Sequence, residues 1–100
     1  MAYFEVLVPK FFNNGEPVSQ GAFDALEEYL ARKYEGYTRL DTSGAWISPL
    51  RGFKRDVSFT YRVYVKKVNR KMVEGIAKVV KKFWKQDNVM FVINGRNYFV

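Results

Sequence analysis

Neither cysteine nor histidine occurs in the 100 residues, and the two absences remove several chemistries at once. Without thiols there are no disulfides, no thiolate nucleophiles and no thiolate metal sites. Without imidazole, Ser43, Ser48 and Ser58 lack the usual base that would activate a hydroxyl. Only a carboxylate cation site remains, and the acids stand singly or, as Glu27-Glu28, on a helix face. No metal is expected. The seven glycines never approach the spacing of a phosphate-cradling loop, so no cofactor is expected either. No apolar run approaches the roughly 20 residues of a membrane span, and the N-terminus has no signal-peptide pattern. The expectation is a soluble cytoplasmic protein with no membrane partner.

Aromatics are plentiful: nine Phe, seven Tyr and two Trp, within a hydrophobic share of 48%. That is enough for one small domain spanning 1–100, held by packing alone. The charge is +7 overall and unevenly placed. Residues 1–50 carry four Lys/Arg against seven acids, whereas residues 51–100 carry thirteen against three. Such a field favours anionic partners or head-to-tail self-association and is silent on fold.

In chain order, Tyr3–Val8 reads as a strand closed by Pro9, and Asn13-Asn14-Gly15 as a turn. Ser19 is an N-cap for a helix over Gln20–Glu35 with Gly36 as its C-cap. Ala22, Phe23, Leu26 and Leu30 line its apolar side, with Asp24, Glu27, Glu28 and Arg32 opposite. A second strand starts near Tyr37, is interrupted at Ser43-Gly44 by an expected bulge or bend, and resumes at Ala45-Trp46-Ile47. Ser48–Arg55 reads as a connection. Val57–Lys66 alternates apolar and polar residues with period two, the pattern of a strand wet on one face. Asn69 caps a second helix whose stripe is Met72, Val73, Ile76, Val79, Val80 and Phe83. Lys71, Lys78, Lys81, Lys82 and Lys85 lie opposite that stripe, and Trp84 is placed to seal the helix end. Val89–Ile93 is a fourth strand, and Asn94-Gly95 is a type I′ hairpin signal leading to a short fifth. The order predicts an α+β, ferredoxin-like βαββαβ sandwich with an additional C-terminal strand.

Function is less constrained. Arg51, Lys54 and Arg55 on the expected connection, with Lys71, Lys78, Lys82 and Lys85 on the helix, are the candidate contacts to nucleic acid or an acidic protein. The third-strand aromatic motif of RNA-recognition domains is out of phase here, because its outward positions fall on Lys54 and Asp56. Tyr3, Leu7 and Tyr64 are expected on the sheet face the helices leave open, a candidate homo-oligomer interface. Glu5, inside an apolar strand, either faces that open side or is buried against Arg39 or Arg62.

Gly44-Ala45-Trp46, the strand opening at Asp56, and Trp84-Lys85-Gln86-Asp87-Asn88-Val89 resemble a loose group of small phage and bacterial ferredoxin-like proteins that includes phage S-adenosylmethionine lyases. The resemblance covers roughly residues 37–93. It implies a trimer and a catalytic glutamate shortly after the Gly-x-aromatic segment; Ile47-Ser48-Pro49 holds no acid there. The sequence thus favours a non-enzymatic, self-associating protein presenting a basic surface to an anionic partner, as a phage or mobile-element accessory factor would. A small-molecule binder or minimal lyase-like enzyme with its site between subunits is the alternative.

Overall fold

Alternation along the first and third strands decides which side chains go under the helices. In the computed structural model, which describes residues 1–100, the elements are β1 (Ala2–Pro9), α1 (Gln20–Tyr34), β2 (Thr38–Ser48), β3 (Gly52–Val65), α2 (Arg70–Phe83), β4 (Met90–Ile93) and β5 (Arg96–Phe99). The strands form one sheet in the order β2-β3-β1-β4-β5, every neighbouring pair antiparallel. This is the expected ferredoxin-like α+β arrangement with one added strand. Phe4, Val6 and Val8 of β1 pair with Val63, Tyr61 and Phe59 of β3. Together with Val73, Ile76, Ala77 and Val80 of α2 and Phe23 and Leu30 of α1 they make the core. Burying each such side chain contributes about 1.5–3 kcal/mol.

Both helix starts are capped as the sequence indicates. The Ser19 hydroxyl accepts from the Ala22 amide, and Asn69 Oδ1 accepts from the amides of Lys71 and Met72. At the end of α1 the left-handed residue is Glu35 (φ 66°) rather than the expected Gly36. Trp84 closes α2, buried, edge-on to Phe23 at 5.8 Å. The side-chain amide of Gln86 then donates to its carbonyl at 2.8 Å, which ties the helix end to the turn before β4. Asn94 and Gly95 have φ of 48° and 86°, the positive values a type I′ turn requires.

Three expectations are corrected. First, β2 contains no bulge at Ser43-Gly44: it pairs residue for residue with β3, Gly44 opposite Asp56. Second, Ser48–Arg55 is not a loop. Only Pro49, Leu50 and Arg51 turn, between the paired Ser48 and Gly52. The Ser48 hydroxyl accepts from the amides of Leu50 and Arg51, and Gly52 takes φ 72°, a conformation glycine adopts without a Cβ clash. Lys54 and Arg55 therefore sit on β3. Third, the apolar stripe of α2 is wider than its contact with the sheet. Val79 and Phe83 remain 51% and 65% exposed, because they lie on the flank facing α1, and no Cα of α1 comes within 8 Å of one in α2.

Phe4→Ala is expected to cost about 3–5 kcal/mol, the usual loss for a fully buried ring. Phe83→Ala, which removes a ring with no core contact, is expected to shift stability by less than about 0.5 kcal/mol. Urea titrations of the two variants check the contrast.

Candidate functional site

The face of the sheet away from the helices is the first candidate surface. Tyr3, Glu5 and Leu7 alternate with the buried residues of β1 and oppose Tyr64, Arg62 and Thr60 of β3. The expected trio Tyr3, Leu7 and Tyr64 thus shares one face. The Tyr3 and Tyr64 rings lie 6.0 Å apart. Between them and Leu7, Glu5 Oε2 accepts from Arg62 Nε at 2.7 Å and pairs with its Nη2 at 2.6 Å. Of the two alternatives for Glu5, the open face holds and Arg62 is the partner. The Glu5 carboxylate first, then Tyr64, holds the Arg62 guanidinium above its already high usual value. Beyond Arg62, at the end of α1, a cavity of about 220 Å³ is bounded by Tyr34, Tyr37, Thr38, Arg62 and Tyr64. The Tyr34 hydroxyl is buried beside it with no hydrogen-bond partner.

The seven candidate cations form two groups rather than one patch. Lys71, Lys78 and Lys82 are exposed along the side of α2 opposite Val73, Ala77 and Val80, as their spacing indicates, whereas Lys85, expected on the same helix, lies beyond its end in a left-handed turn (φ 53°). Lys78 is paired with Glu74 at 3.2 Å. Arg51, Lys54 and Arg55 ride on the far end of the β2–β3 hairpin. By alternation from the inward-facing Tyr61, Arg55 points to the helix side of the sheet and Lys54 to the open side.

That hairpin end is an arm. From Ser43 to Val57 it has no helix above it, and Trp46, Ile47, Leu50 and Phe53 are all more than half exposed. A second uncovered apolar surface runs between α1 and α2, a groove of about 560 Å³ whose walls include Leu26, Tyr29, Met72, Val79 and Phe83. Sequence reasoning missed both. The wide apolar arc of α2 was the available signal for the groove. The Ser48-Pro49-x-x-Gly52 spacing was the signal for a tight turn at the arm's tip.

Glu27, read from sequence as an exposed helix residue, is a structural hub. Its carboxylate accepts from Tyr61 OH at 2.7 Å, Tyr37 OH at 2.9 Å and Arg39 Nη1 at 2.9 Å, which ties α1 to β2 and β3. Burial pushes the Glu27 carboxyl up, but the donors from Tyr61, Tyr37 and Arg39 outweigh it and leave it below its usual 4.5. Burial, then donation to Glu27, raises Tyr61 far above the ordinary phenol range. No group of three or more His, Cys, Asp or Glu is placed to hold a metal ion. No helix is long and apolar enough to cross a membrane.

No protein-family model matches the chain, and no curated protein matches its sequence. Among solved structures it is similar to a phage S-adenosylmethionine lyase in complex with S-methyl-5′-thioadenosine. That similarity has a TM-score of 0.72 and 11% identity over 99% of this chain and 88% of the other. A phage S-adenosylmethionine lyase in the apo state superposes with a TM-score of 0.63 and 8% identity, over 99% of this chain and 87% of that one. At these identities the likeness is one of fold.

A carboxylate held below its ordinary pKa contributes stability that is present above the unfolded value and lost as pH falls through the folded one. Glu27→Gln is accordingly expected to cost about 1–3 kcal/mol at neutral pH. The difference from the unmodified protein should shrink as pH drops below about 4.5. Melting curves of both proteins between neutral and acid pH measure it.

Proposed function

We propose that this chain binds S-adenosylmethionine and cleaves it as a lyase, at a site completed by a second copy of the chain. The carrying observation is the likeness to phage S-adenosylmethionine lyases, which extends over 99% of the chain and so includes β5 and the β2–β3 arm. Function enters here by analogy of fold. The turn Trp84-Lys85-Gln86-Asp87-Asn88-Val89 adds a local resemblance in the same direction.

The chemistry suits what the chain has and lacks. In C–S cleavage of a sulfonium, sulfur departs as a neutral thioether with the bonding pair. The substrate's own α-carboxylate attacks the γ-carbon and closes a five-membered lactone, so neither an acid for the leaving group nor a nucleophile from the protein is needed. A protein without His or Cys can host that reaction by positioning the substrate and by placing aromatic faces and a carboxylate near the cationic sulfur. Tyr3, Glu5 and Tyr64 are the residues of that type on the open face, and of the three Tyr64 also borders the cavity that Tyr34 lines. The 220 Å³ cavity there is smaller than the roughly 300–1,000 Å³ of most small-molecule sites, which is why a second copy is part of the proposal.

S-adenosylmethionine and S-methyl-5′-thioadenosine should each raise the melting temperature, a ligand at 100 times its Kd adding about 2.7 kcal/mol. S-methyl-5′-thioadenosine should accumulate from S-adenosylmethionine in a chromatographic assay. Glu5→Gln and Tyr64→Ala are expected to slow that release at least about tenfold with the fold intact. Absence of both the thermal shift and the product overturns the reading.

A second reading rests on a different observation, the outward lysine row of α2. It presents Lys71, Lys78 and Lys82, with Lys85 in the turn beyond the helix, to an anionic partner, nucleic acid or an acidic protein. Anisotropy titrations should then show affinity falling steeply with salt, by close to one counterion per phosphate neutralised. Replacing Lys78, Lys82 and Lys85 by Glu should abolish the binding without unfolding the domain; affinity that persists would make the row a solvated surface.

A further inference from the structure

β2 is an edge strand of unusual openness. It is eleven residues long, pairs only with β3, and runs without a bulge. Of the devices that keep edges from pairing, Thr38–Ser48 lacks proline, lysine and a bulge, and its two charged side chains, Arg39 and Asp41, are each engaged within the chain, by Glu27 at 2.9 Å and by Lys10 at 2.6 Å. No hydrogen bond from elsewhere in the chain reaches its outer row of amides and carbonyls. Its distal half also carries part of the arm, with Ile47 70% exposed and Leu50 at the tip 94% exposed.

We propose that this edge is covered by the same edge of a second copy, β2 against β2 about a two-fold axis, giving one continuous ten-stranded sheet. Self-pairing is restricted by alternation. Residues whose backbone groups point outward must meet residues of the same parity, and the register that uses all eleven residues centres on Ser43. It sets Leu40 opposite the partner's Trp46 on the open face, twice over. On the helix face it sets Arg39 opposite the partner's Ile47. Both members of the Leu40–Trp46 pair are exposed in the single chain.

Charge selects the same occupant. In this arrangement the arm of one copy lies beside the start of β2 in the other, next to the flank of α1 that turns toward β2. Glu27 identifies that flank through its bonds to Tyr37 and Arg39, and Asp24 and Glu28, both exposed, lie one strip further out on it. The cationic arm, with Arg55 on its helix side, therefore meets the acidic half of its partner. That uses the imbalance between residues 1–50 and 51–100 and explains how a chain of net charge +7 associates with itself. The groove between α1 and α2 is the poorer seat for the arm, because its α2 rim carries Lys71, Lys78 and Lys82.

This inference stands apart from ligand binding: a protein that ignores S-adenosylmethionine can still pair through β2. Light scattering coupled to size-exclusion chromatography on the full chain should give the mass of two chains. Leu40→Lys combined with Trp46→Lys should give one chain, with circular dichroism and melting temperature unchanged apart from concentration dependence. Glu28→Lys should weaken the dimer, raising its Kd about tenfold, and adding Arg55→Glu should restore most of that loss. A wild-type chain that stays monomeric up to high micromolar concentration overturns the proposal. So does a dimer or trimer that survives L40K/W46K, or one that dissociates only when Tyr3 and Tyr64 of the open face are changed.

Discussion

The antiparallel pairing of β1 with β3 is the constraint on which the rest of the molecule depends. Eight consecutive residues of β1 find partners there, and the alternation they share decides every face that follows. Phe4, Val6, Val8, Tyr61 and Val63 go inward and give both helices something to bury against. Tyr3, Glu5, Leu7, Arg62 and Tyr64 go outward together. A slip of one residue would exchange the two sets, moving a Glu–Arg pair under the helices and the core into water. Glu27 strengthens the same junction from the helix side, since its three donors come from β2, β3 and the segment between α1 and β2.

What the core leaves uncovered is as informative as what it fills. With fifteen buried residues gathered around β1 and α2, much apolar surface lies elsewhere: the arm, the groove between the helices, and the rings of the open face. Large exposed apolar patches on small domains are commonly contact surfaces. Here they are accompanied by a long, bulge-free edge strand and by charge of opposite sign on the two halves of the chain. These features agree in pointing to assembly, and assembly is also what an undersized polar cavity at a sheet surface requires if it is to enclose a ligand. On the two proposals above, function would belong to an assembly rather than to the single chain.

Much of the fold was legible in the residues. Ser19 and Asn69 announced helix starts because a side-chain oxygen there can accept from otherwise free amides, and Asn94-Gly95 announced a turn because few other pairs tolerate two positive φ values. The arm was not legible. Gly44 and Gly52 look alike in sequence, yet the first continues a strand and the second ends a three-residue turn, and only the cross-strand register of β2 with β3 separates them. Glu27 was misread for a related reason: its helical position places it on a polar flank, but the tyrosines that bond it come from residues ten and thirty-four positions away.

Local rules of capping, alternation and turn chemistry act over a few residues, so the element order, both helix N-caps and the strand faces follow from the residues alone. Which apolar residues stay in water is a property of how far the helices reach over the sheet. Val79 and Phe83 belong to the stripe of α2 by spacing but not by burial, because α1 stands too far away to cover them. Tertiary structure alone decided the groove, the free arm and the open edge, since each depends on the distance between elements that are not neighbours in the chain.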